Sequence, residues 1–153
     1  MVKNERNNTL KLETRDFGQV EIDEEKTIMM PSGMPGFPGM QRFVILDREE
    51  SRPFLWYQCV DDPGLAFVII NPNLFEPDYS LDLKAVSREM SWNGEKEEDL
   101  AVYAIVNASE GIPEKITANL IGPLVINTRK KEATQMVITG SPYSHKQPVF
   151  QSS

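Results

Sequence analysis

The strongest candidates for catalysis in this sequence are Cys59, His145, Asp61 and Asp62. A thiol or an imidazole becomes a catalytic group only where a charged or polar partner activates and orients it. Cys59 instead falls within an apolar run, where cysteine behaves as a small hydrophobic residue, and His145 falls in a polar C-terminal stretch. Asp61 and Asp62 are neighbours in a turn and are expected to point apart, which does not suit paired acid–base catalysis. These residues favour a binding protein over an enzyme.

Metal and phosphate sites have recognisable spacings, and the sequence contains neither kind. With one histidine and one cysteine, it lacks the repeated ligands of a zinc site. The segment 31–40, PSGMPGFPGM, is rich in glycine, but it lacks the Gly-Lys-Ser/Thr ending of a phosphate-binding loop and precedes a predicted strand rather than a helix. We therefore expect Gly33, Gly36 and Gly39 to form a structural corner. Phe37 is expected to fill the core beneath this corner, and we predict no metal and no cofactor.

Length and charge restrict the class of partner. The chain has 153 residues, which suits one domain, and its net charge is −7 from 23 acidic and 16 basic residues. Proteins that bind nucleic acids or anionic membranes usually present a basic surface, because contacts to phosphates dominate their affinity. The acidic residues here cluster instead, at 21–25, 47–50 and 95–99. We expect no direct contact with nucleic acid or membrane and an attraction to basic proteins, although the charge would also serve solubility alone.

Features that mark exported proteins are missing from the sequence. The start, MVKNERNNTLKLE, has no apolar stretch of the kind found in signal peptides, and no run reaches the roughly 18 apolar residues that span a bilayer. A single cysteine also excludes an internal disulfide bond. Together these features predict a cytoplasmic protein.

Short apolar runs separated by turn residues predict about nine or ten strands. The clearest pair is the hairpin formed by residues 54–60 and 65–70, which are rich in aromatic and β-branched side chains. Residues 61–64, with the sequence DDPG, join the two strands. In this turn Pro63 is expected to preset φ and Gly64 to supply a positive φ.

One helix and one broken strand are also predicted. Residues 82–90 predict the helix, since Leu83, Val86 and Met90 recur at helical spacing after a capping aspartate. The segment 116–128 is predicted as two short extended pieces that are broken at Gly122-Pro123.

The number and spacing of the strands favour an antiparallel barrel or sandwich over an alternating α/β sheet. Several strands are apolar on both faces, as expected of a closed sheet with loops packed outside it. We predict a mainly β protein, with a single-domain, antiparallel β-barrel-like fold and one short helix over residues 1–140. Residues 141–153 are polar and contain two prolines, so we expect them to form a flexible C-terminal tail.

Three segments carry a specific resemblance to a known family. They are residues 30–37 (MPSGMPGF), 61–79 (DDPGLAFVIINPNLFEPDY) and 116–138 (ITANLIGPLVINTRKKEATQMVI). Each segment alone is a weak signal, but the combination is specific. From about Leu10 to Ile138, the chain resembles the FliW family of bacterial flagellar assembly factors.

The resemblance implies a β-barrel-like fold and a function without catalysis. FliW proteins bind CsrA, a small RNA-binding repressor of translation, and they also bind flagellin. CsrA that is bound by FliW no longer represses flagellin mRNA, and accumulating flagellin captures FliW and frees CsrA again. By this resemblance we expect the chain to be a monomeric antagonist of CsrA that flagellin sequesters.

The residues that contact the partners are predicted from charge and exposure, because no family motif assigns them. An exposed aromatic side chain flanked by acids provides an anchor with a polar rim. The candidates lie in the hairpin turn and in the loop after it: Asp61, Asp62, Asn71, Phe75, Glu76, Asp78 and Tyr79. Phe75 and Tyr79 could equally pack the neighbouring helix onto the barrel, and the sequence leaves this alternative open.

Two other functions are compatible with the sequence. Methionine and aromatic side chains that line the barrel would form a pocket for a small ligand. In the other alternative, the chain is a hydrolase of an unrecognised kind that uses Asp61 or Asp62 in catalysis. A complex with CsrA or flagellin would separate the first interpretation from both alternatives.

Overall fold

The computed structural model describes residues 9–94, 96–108 and 115–150, and within these residues it contains ten strands and one α-helix. The strands are β1 Thr9–Thr14, β2 Gly18–Asp23, β3 Ile28–Met29, β4 Arg42–Leu46, β5 Leu55–Cys59, β6 Ala66–Ile70, β7 Leu100–Asn107, β8 Thr117–Asn127, β9 Glu132–Gln135 and β10 Gln147–Pro148, and the helix α1 is Leu83–Met90. Among the described residues, no helix is long and apolar enough to cross a membrane.

Strands β3 to β9 form a closed barrel of seven strands. They follow one another in the order β8-β7-β6-β5-β4-β3-β9, and a second pairing of β9 with β8 closes the sheet. The neighbours are antiparallel except β3 and β9, which run parallel at Met29 and Glu132. The hairpin of β1 and β2 packs outside, on Val44 and Val60. The predicted mainly β, barrel-like fold with one short helix is confirmed, with one parallel pairing that was not expected.

Large side chains fill the inside of the barrel. The rings of Phe43 and Tyr57 stack with centroids 4.4 Å apart and an interplanar angle of 4°. Around them pack buried residues from most of the other strands and from the glycine-rich corner: Ile28, Met30, Met34, Cys59, Ile69, Leu124, Ile126 and Ala133. Because apolar side chains occupy the interior, the loops and the helix must bury their own apolar residues against the outer face of the sheet.

The glycine-rich segment forms the predicted corner between β3 and β4. Gly33, Gly36 and Gly39 all have positive φ angles, of 75°, 87° and 85°. The residue that fills the core is different from the predicted one, because Met34 is 4% exposed and Phe37 is 39% exposed. The Phe37 N–H donates to the Met34 carbonyl at 2.9 Å, so the two side chains leave a tight turn in different directions. Methionine is flexible enough to fit the gap inside the barrel.

The β5–β6 hairpin is confirmed, but its turn works differently from the prediction. Gly64 is not among the glycines with positive φ. The Asp62 carboxylate accepts the N–H of Gly64 at 3.1 Å, and the Leu65 N–H donates to the Asp62 carbonyl at 2.9 Å. The buried Gln58 amide donates to the carbonyls of Pro63 and Leu65 at 2.8 and 3.1 Å. Side-chain hydrogen bonds therefore hold this turn without a left-handed glycine.

The segment predicted as two broken pieces is one continuous strand, β8. The register between β8 and β7 shifts along this strand. Tyr103 pairs with Leu124, and the next pair is Ile105 with Asn119, so two steps along β7 correspond to five steps along β8. A Cβ on Gly122 would lie 2.9 Å from the Asn119 side-chain nitrogen. The glycine therefore allows a bulge in the strand where the sequence predicted a break.

Residues 141–150 pack on the barrel, although the sequence predicted a flexible tail from residue 141. Strand β10 pairs with the start of β8, and the Val149 N–H donates to the Ile116 carbonyl at 3.1 Å. The ring of Tyr143 lies 4.7 Å from that of Tyr79, and Val149 is buried in the same apolar cluster. Two apolar anchors in a polar segment are enough to cover the outer face of β8. Residues 151–153 of the predicted tail lie outside the described residues.

Candidate partner-binding surface

The predicted contact residues lie in two groups at opposite ends of β6. Asp61 and Asp62 lie in the hairpin tip, residues 61–64, which precedes the strand, and the other five lie in loop 71–79, which follows it. A strand of five residues is about 17 Å long. The structure therefore brings the members of each group together but keeps the two groups apart, so a partner that contacts both must reach along the whole strand.

Asp61 anchors the hairpin tip to the glycine-rich corner. Its carboxylate accepts the backbone N–H groups of Gln41 and Arg42 at 2.8 Å each, and the Arg42 Nε at 2.9 Å. Partial burial raises the pKa of Asp61, but the two backbone donors and the Arg42 guanidinium outweigh it and hold the pKa below its usual range. All of these contacts are within the chain, so Asp61 has a structural function whether or not it also contacts a partner.

Asp62 makes different contacts from Asp61, whose carboxylate binds Gln41 and Arg42. One of its carboxylate oxygens accepts the Gly64 N–H within the turn, and the residue as a whole is exposed. Asp61 is exposed as well, but three hydrogen bonds within the chain occupy its carboxylate, so Asp62 is the more available acid of the hairpin tip.

Two asparagines give loop 71–79 its shape. The Asn71 carbonyl oxygen of the side chain accepts the Asn73 N–H at 3.0 Å and caps a 3-10 turn over Pro72–Leu74. The side-chain amide of Asn73 donates to the carbonyls of Pro77 and Tyr79 at 3.2 and 3.0 Å. Asn73 closes the loop on itself, a function that the sequence analysis did not identify.

Phe75 and Tyr79 pack loop 71–79 against the sheet, whereas the alternative left open had them packing the helix onto the barrel. Tyr79 is 5% exposed, and its hydroxyl donates to the Leu120 carbonyl of β8 at 2.7 Å. Burial, together with the neighbouring Tyr143, raises the pKa of the Tyr79 hydroxyl. Phe75 is half-buried against the same outer cluster, which includes Ile70. Tyr79 is therefore not the exposed aromatic anchor that was predicted.

Leu74 is the apolar residue that loop 71–79 exposes. It is 59% exposed between the half-buried Phe75 and the exposed Asn73, and the exposed Asp78 and half-buried Glu76 follow it in the loop. No signal in the sequence distinguishes Leu74 from Phe75, because the direction of a side chain within a 3-10 turn depends on the cap at Asn71. The prediction was an exposed aromatic side chain flanked by acids, whereas the loop exposes a leucine near Glu76 and Asp78.

Among the candidate catalytic residues, the contact between Cys59 and Asp62 is made by the backbone of Asp62, whose N–H donates to the Cys59 sulfur at 3.3 Å. Cys59 is fully buried, and burial raises the pKa of its thiol, which disfavours the reactive thiolate. His145 is exposed within the packed C-terminal segment, residues 141–150. Across residues 9–94, 96–108 and 115–150, no group of three metal-ligating side chains lies close enough to hold an ion.

The interior leaves little space for a small ligand. The pocket at one barrel mouth has a volume of about 150 Å³ and is lined by Ile28, Ile45, Ala101, Tyr103, Ile126, Lys26, Thr128 and Lys131. Sites for small molecules usually enclose about 300–1,000 Å³. This pocket is smaller than that range and has no methionine in its lining, so it does not match the methionine-lined pocket that the small-ligand alternative requires.

Comparison with known proteins identifies relatives over nearly the whole chain. Residues 11–149 match the model of the FliW protein family. The flagellar assembly factor FliW of Alkaliphilus metalliredigens is 41% identical over 142 residues, which cover 92% of this chain and 86% of that protein. The flagellar assembly factor FliW of Bacillus licheniformis is 40% identical over 138 residues, covering 90% and 95% of the two chains.

A solved structure agrees with this match. The crystal structure of a flagellar assembly factor FliW superimposes with a TM-score of 0.83 at 33% identity, covering 94% of this chain and 99% of that one. The relatives are named as flagellar assembly factors and not as enzymes. The sequence match and the fold match both cover all the strands of the barrel. The chain therefore belongs to the FliW family of flagellar assembly factors.

Proposed function

We propose that this chain is a cytoplasmic, non-enzymatic regulator that binds the translational repressor CsrA, relieves its repression of flagellin mRNA, and is itself sequestered by flagellin. The observation that carries the proposal is membership of the FliW family across residues 11–149. A regulator of this kind needs no reactive site, only surfaces that bind two partners with competing affinities.

The charge of the chain supports a repressor as one partner. The net charge is −7, and a protein that binds RNA presents basic residues to the phosphates. Opposite charges steer the two proteins together and increase the association rate, more than they increase the affinity. Negative charge held near an RNA-binding groove also repels RNA. An acidic protein that docks beside the groove therefore weakens RNA binding without blocking the groove.

Loop 71–79 is the better of the two predicted contact groups. It exposes Leu74 next to Glu76 and Asp78, and hydrogen bonds from Asn71 and Asn73 hold it in shape. A fixed apolar side chain with a polar rim loses little entropy on binding. The hairpin tip contributes Asp62, and Asp61 maintains the position of the tip.

Direct titration tests the proposal. Labelled chain is titrated with purified CsrA and with purified flagellin, and each preformed complex is then challenged with the other protein. We expect a complex with each partner and displacement of CsrA by flagellin. The proposal would be overturned if the chain formed a complex with neither CsrA nor flagellin.

Charge variants can locate the contact because the two groups are separated by β6. The pair Glu76→Gln and Asp78→Asn removes charge from loop 71–79, and Asp62→Asn removes it from the hairpin tip. We expect the loop pair to slow association with CsrA and to reduce its salt dependence, with a smaller effect of the tip variant. Unchanged kinetics for the loop pair would remove loop 71–79 from the interface.

A further inference from the structure

Strand β7 continues past the end of its neighbour β6. The last pair between these strands is Ile70 with Ala104, whereas residues 100–103 of β7 pair with β8 alone. In the part of the chain that the structure describes, residues 100–103 therefore have a strand on one side only. An edge of this kind carries backbone donors and acceptors that can pair with another chain.

The alternation of hydrogen-bonded and non-hydrogen-bonded pairs between β7 and β8 shows which backbone groups of β7 face the open side. The Thr128 N–H donates to the Asp99 carbonyl at 2.8 Å, so the pair of Leu100 with Asn127 is a non-hydrogen-bonded pair of the antiparallel ladder. The ladder bonds to β8 then come from Ala101 and Tyr103. The N–H and C=O groups of Leu100 and Val102 accordingly point away from β8, toward the position that an extended β6 would occupy.

An open cleft lies at that position. Its volume is about 640 Å³, and residues 100–103 form one wall while Asp47, Arg52, Pro53 and Leu55 form the other. Asn71 and Asn73, also in the lining, close the end where β6 stops. We name this cleft the strand slot.

Proline explains why the chain does not fill the slot itself. In the register of β6 and β7, Val102 would face Pro72, since Ala104 faces Ile70. Pro72 has no N–H to donate and begins the 3-10 turn that carries the chain away. Pro53 on the far wall likewise has no N–H, so the β7 edge is the wall that can pair with a guest strand.

The rim of the slot is acidic at two places. The 3-10 turn Glu49–Ser51 leads directly into Arg52, and the 3-10 turn Glu97–Asp99 leads directly into Leu100. Neither turn contains a basic residue, and with their N-cap residues Arg48 and Lys96 the two turns carry five acidic and two basic side chains. Arg52 is neutralised by an ion pair with Asp47 at 2.8 Å. A guest strand that carries lysine or arginine is therefore favoured over an acidic one.

We propose that the strand slot binds a short, extended, basic segment of another protein, which pairs through its backbone with Leu100 and Val102. The inference rests on the proposed function only in that the chain acts by binding proteins. Backbone pairing provides the affinity, and the acidic rim and the apolar side chain of Leu55 provide the selectivity. The open edge of four residues suits a segment of about five or six residues.

Synthetic peptides test the backbone pairing directly. The probe is a fluorescent heptapeptide of alternating lysine and valine, measured by anisotropy with the full chain at low salt. Two isomers are methylated on either the odd or the even backbone nitrogens, and a fourth peptide replaces lysine with glutamate. We expect one methylated isomer and the glutamate peptide to bind at least about tenfold more weakly, and the other isomer to keep its affinity. Equal binding by both methylated isomers and the parent would overturn the proposal.

Two substitutions at one position provide the matched pair. Val102→Pro removes the N–H that points into the slot, whereas Val102→Ala removes a similar amount of side-chain packing and keeps the N–H. We expect Val102→Pro to weaken binding of the lysine–valine peptide about tenfold relative to Val102→Ala. Equal affinities of the two variants would contradict the proposal. Circular dichroism verifies that each variant is folded, and if Val102→Pro is not, the two methylated isomers decide the question.

The outcomes separate this inference from the proposed function. If CsrA and flagellin bind but the lysine–valine peptide does not, the slot proposal fails and the proposed function stands. If the peptide binds but neither protein does, the proposed function fails and the slot proposal stands. Analytical ultracentrifugation tests whether a second copy of the chain occupies the slot instead. If the chain forms a dimer and Val102→Pro dissociates it, the slot is a dimer interface and the proposal is overturned.

Discussion

The carboxylate of Asp61 lies 2.9 Å from the Arg42 guanidinium and ties the β5–β6 hairpin tip to the first residue of β4. The same carboxylate accepts two backbone N–H groups at 2.8 Å, from Gln41 and from Arg42 itself. One side chain thus connects the two places where the sequence is most distinctive, the glycine-rich corner and the DDPG turn. Its function is to position the hairpin, which explains an aspartate at this site without any catalysis.

Asp61→Asn should destabilise the fold. The amide keeps the size of the carboxylate but loses its charge and one acceptor oxygen, and hydrogen bonds to a charged group contribute about 1.5–3 kcal/mol. We expect the free energy of unfolding at pH 7 to fall by about 1–3 kcal/mol in urea denaturation. Asp62→Asn is the control, because Asp62 makes one hydrogen bond within an exposed turn. A loss for Asp61→Asn no larger than that for the control would contradict the anchoring function.

The same ion pair predicts a pH dependence. The pKa of Asp61 is lowered in the folded chain, so its stabilising effect is complete above the unfolded pKa of about 4 and is lost as pH falls through the lower folded value. The difference in unfolding free energy between wild type and Asp61→Asn should be constant above about pH 5 and shrink below about pH 4. Denaturation curves at a series of pH values measure it. A difference that stays constant down to the acid transition would disprove the assignment.

Tyr79→Phe should destabilise the chain without changing the shape of the site. It removes the hydrogen bond of the hydroxyl to the Leu120 carbonyl and leaves that carbonyl buried without this donor. We expect a loss of about 1–2 kcal/mol by chemical denaturation. Tyr143→Phe keeps the ring that contacts Tyr79 and should cost less. Equal losses in the two variants would argue that the hydroxyl of Tyr79 contributes little.

Glycine substitutions test the corner. Gly36 has a φ of +87° with open space around its Cβ position, so Gly36→Ala introduces backbone strain and no clash. We expect a loss of about 1 kcal/mol in thermal or chemical denaturation. Gly64→Ala is the matched control, since Gly64 has no positive φ, and its Cβ would make an ordinary contact of 3.4 Å with Asp62. A neutral Gly36→Ala would show that the corner tolerates a different backbone.

Leu74→Ser tests whether loop 71–79 contacts a partner. Leu74 is 59% exposed, so its replacement should leave the free energy of unfolding within about 0.5 kcal/mol. We expect the affinity for CsrA or flagellin to fall about tenfold if the side chain is buried in the complex. Val137→Ser, at a residue that is 73% exposed outside this loop, is the control. Both partners binding Leu74→Ser as tightly as wild type would exclude Leu74 as an anchor.

Strong local patterns predicted most of the fold. The hairpin of residues 54–70 and helix α1 are confirmed, because each combines a regular apolar period with turn or cap residues at its ends. The corner glycines are confirmed as well, since proline and glycine restrict the backbone through local sterics. Closure of the barrel is harder to predict from local sequence patterns, because it depends on the pairing of β9 with both β8 and β3.

The errors share a physical cause, which is that side-chain direction and tertiary pairing are not local. Phe37, predicted to fill the core, is exposed and Met34 is buried, because a tight turn decides which of them points inward. The break predicted at Gly122-Pro123 becomes a bulge because β7 supports both halves of β8. Tyr79 is buried because Leu120, 41 residues away in the sequence, offers it an acceptor. The sequence could therefore predict the loop that carries these residues, but not which of its side chains are buried and which are exposed.

The most direct test of the central claim is the release of RNA from CsrA. A labelled fragment of flagellin mRNA is bound to CsrA, the purified chain is added in increasing amounts, and fluorescence anisotropy reports the RNA that remains bound. The proposed function predicts that the chain releases the RNA without binding it, and that flagellin added afterwards restores the CsrA–RNA complex. Retention of the RNA on CsrA at a saturating concentration of the chain would contradict the claim.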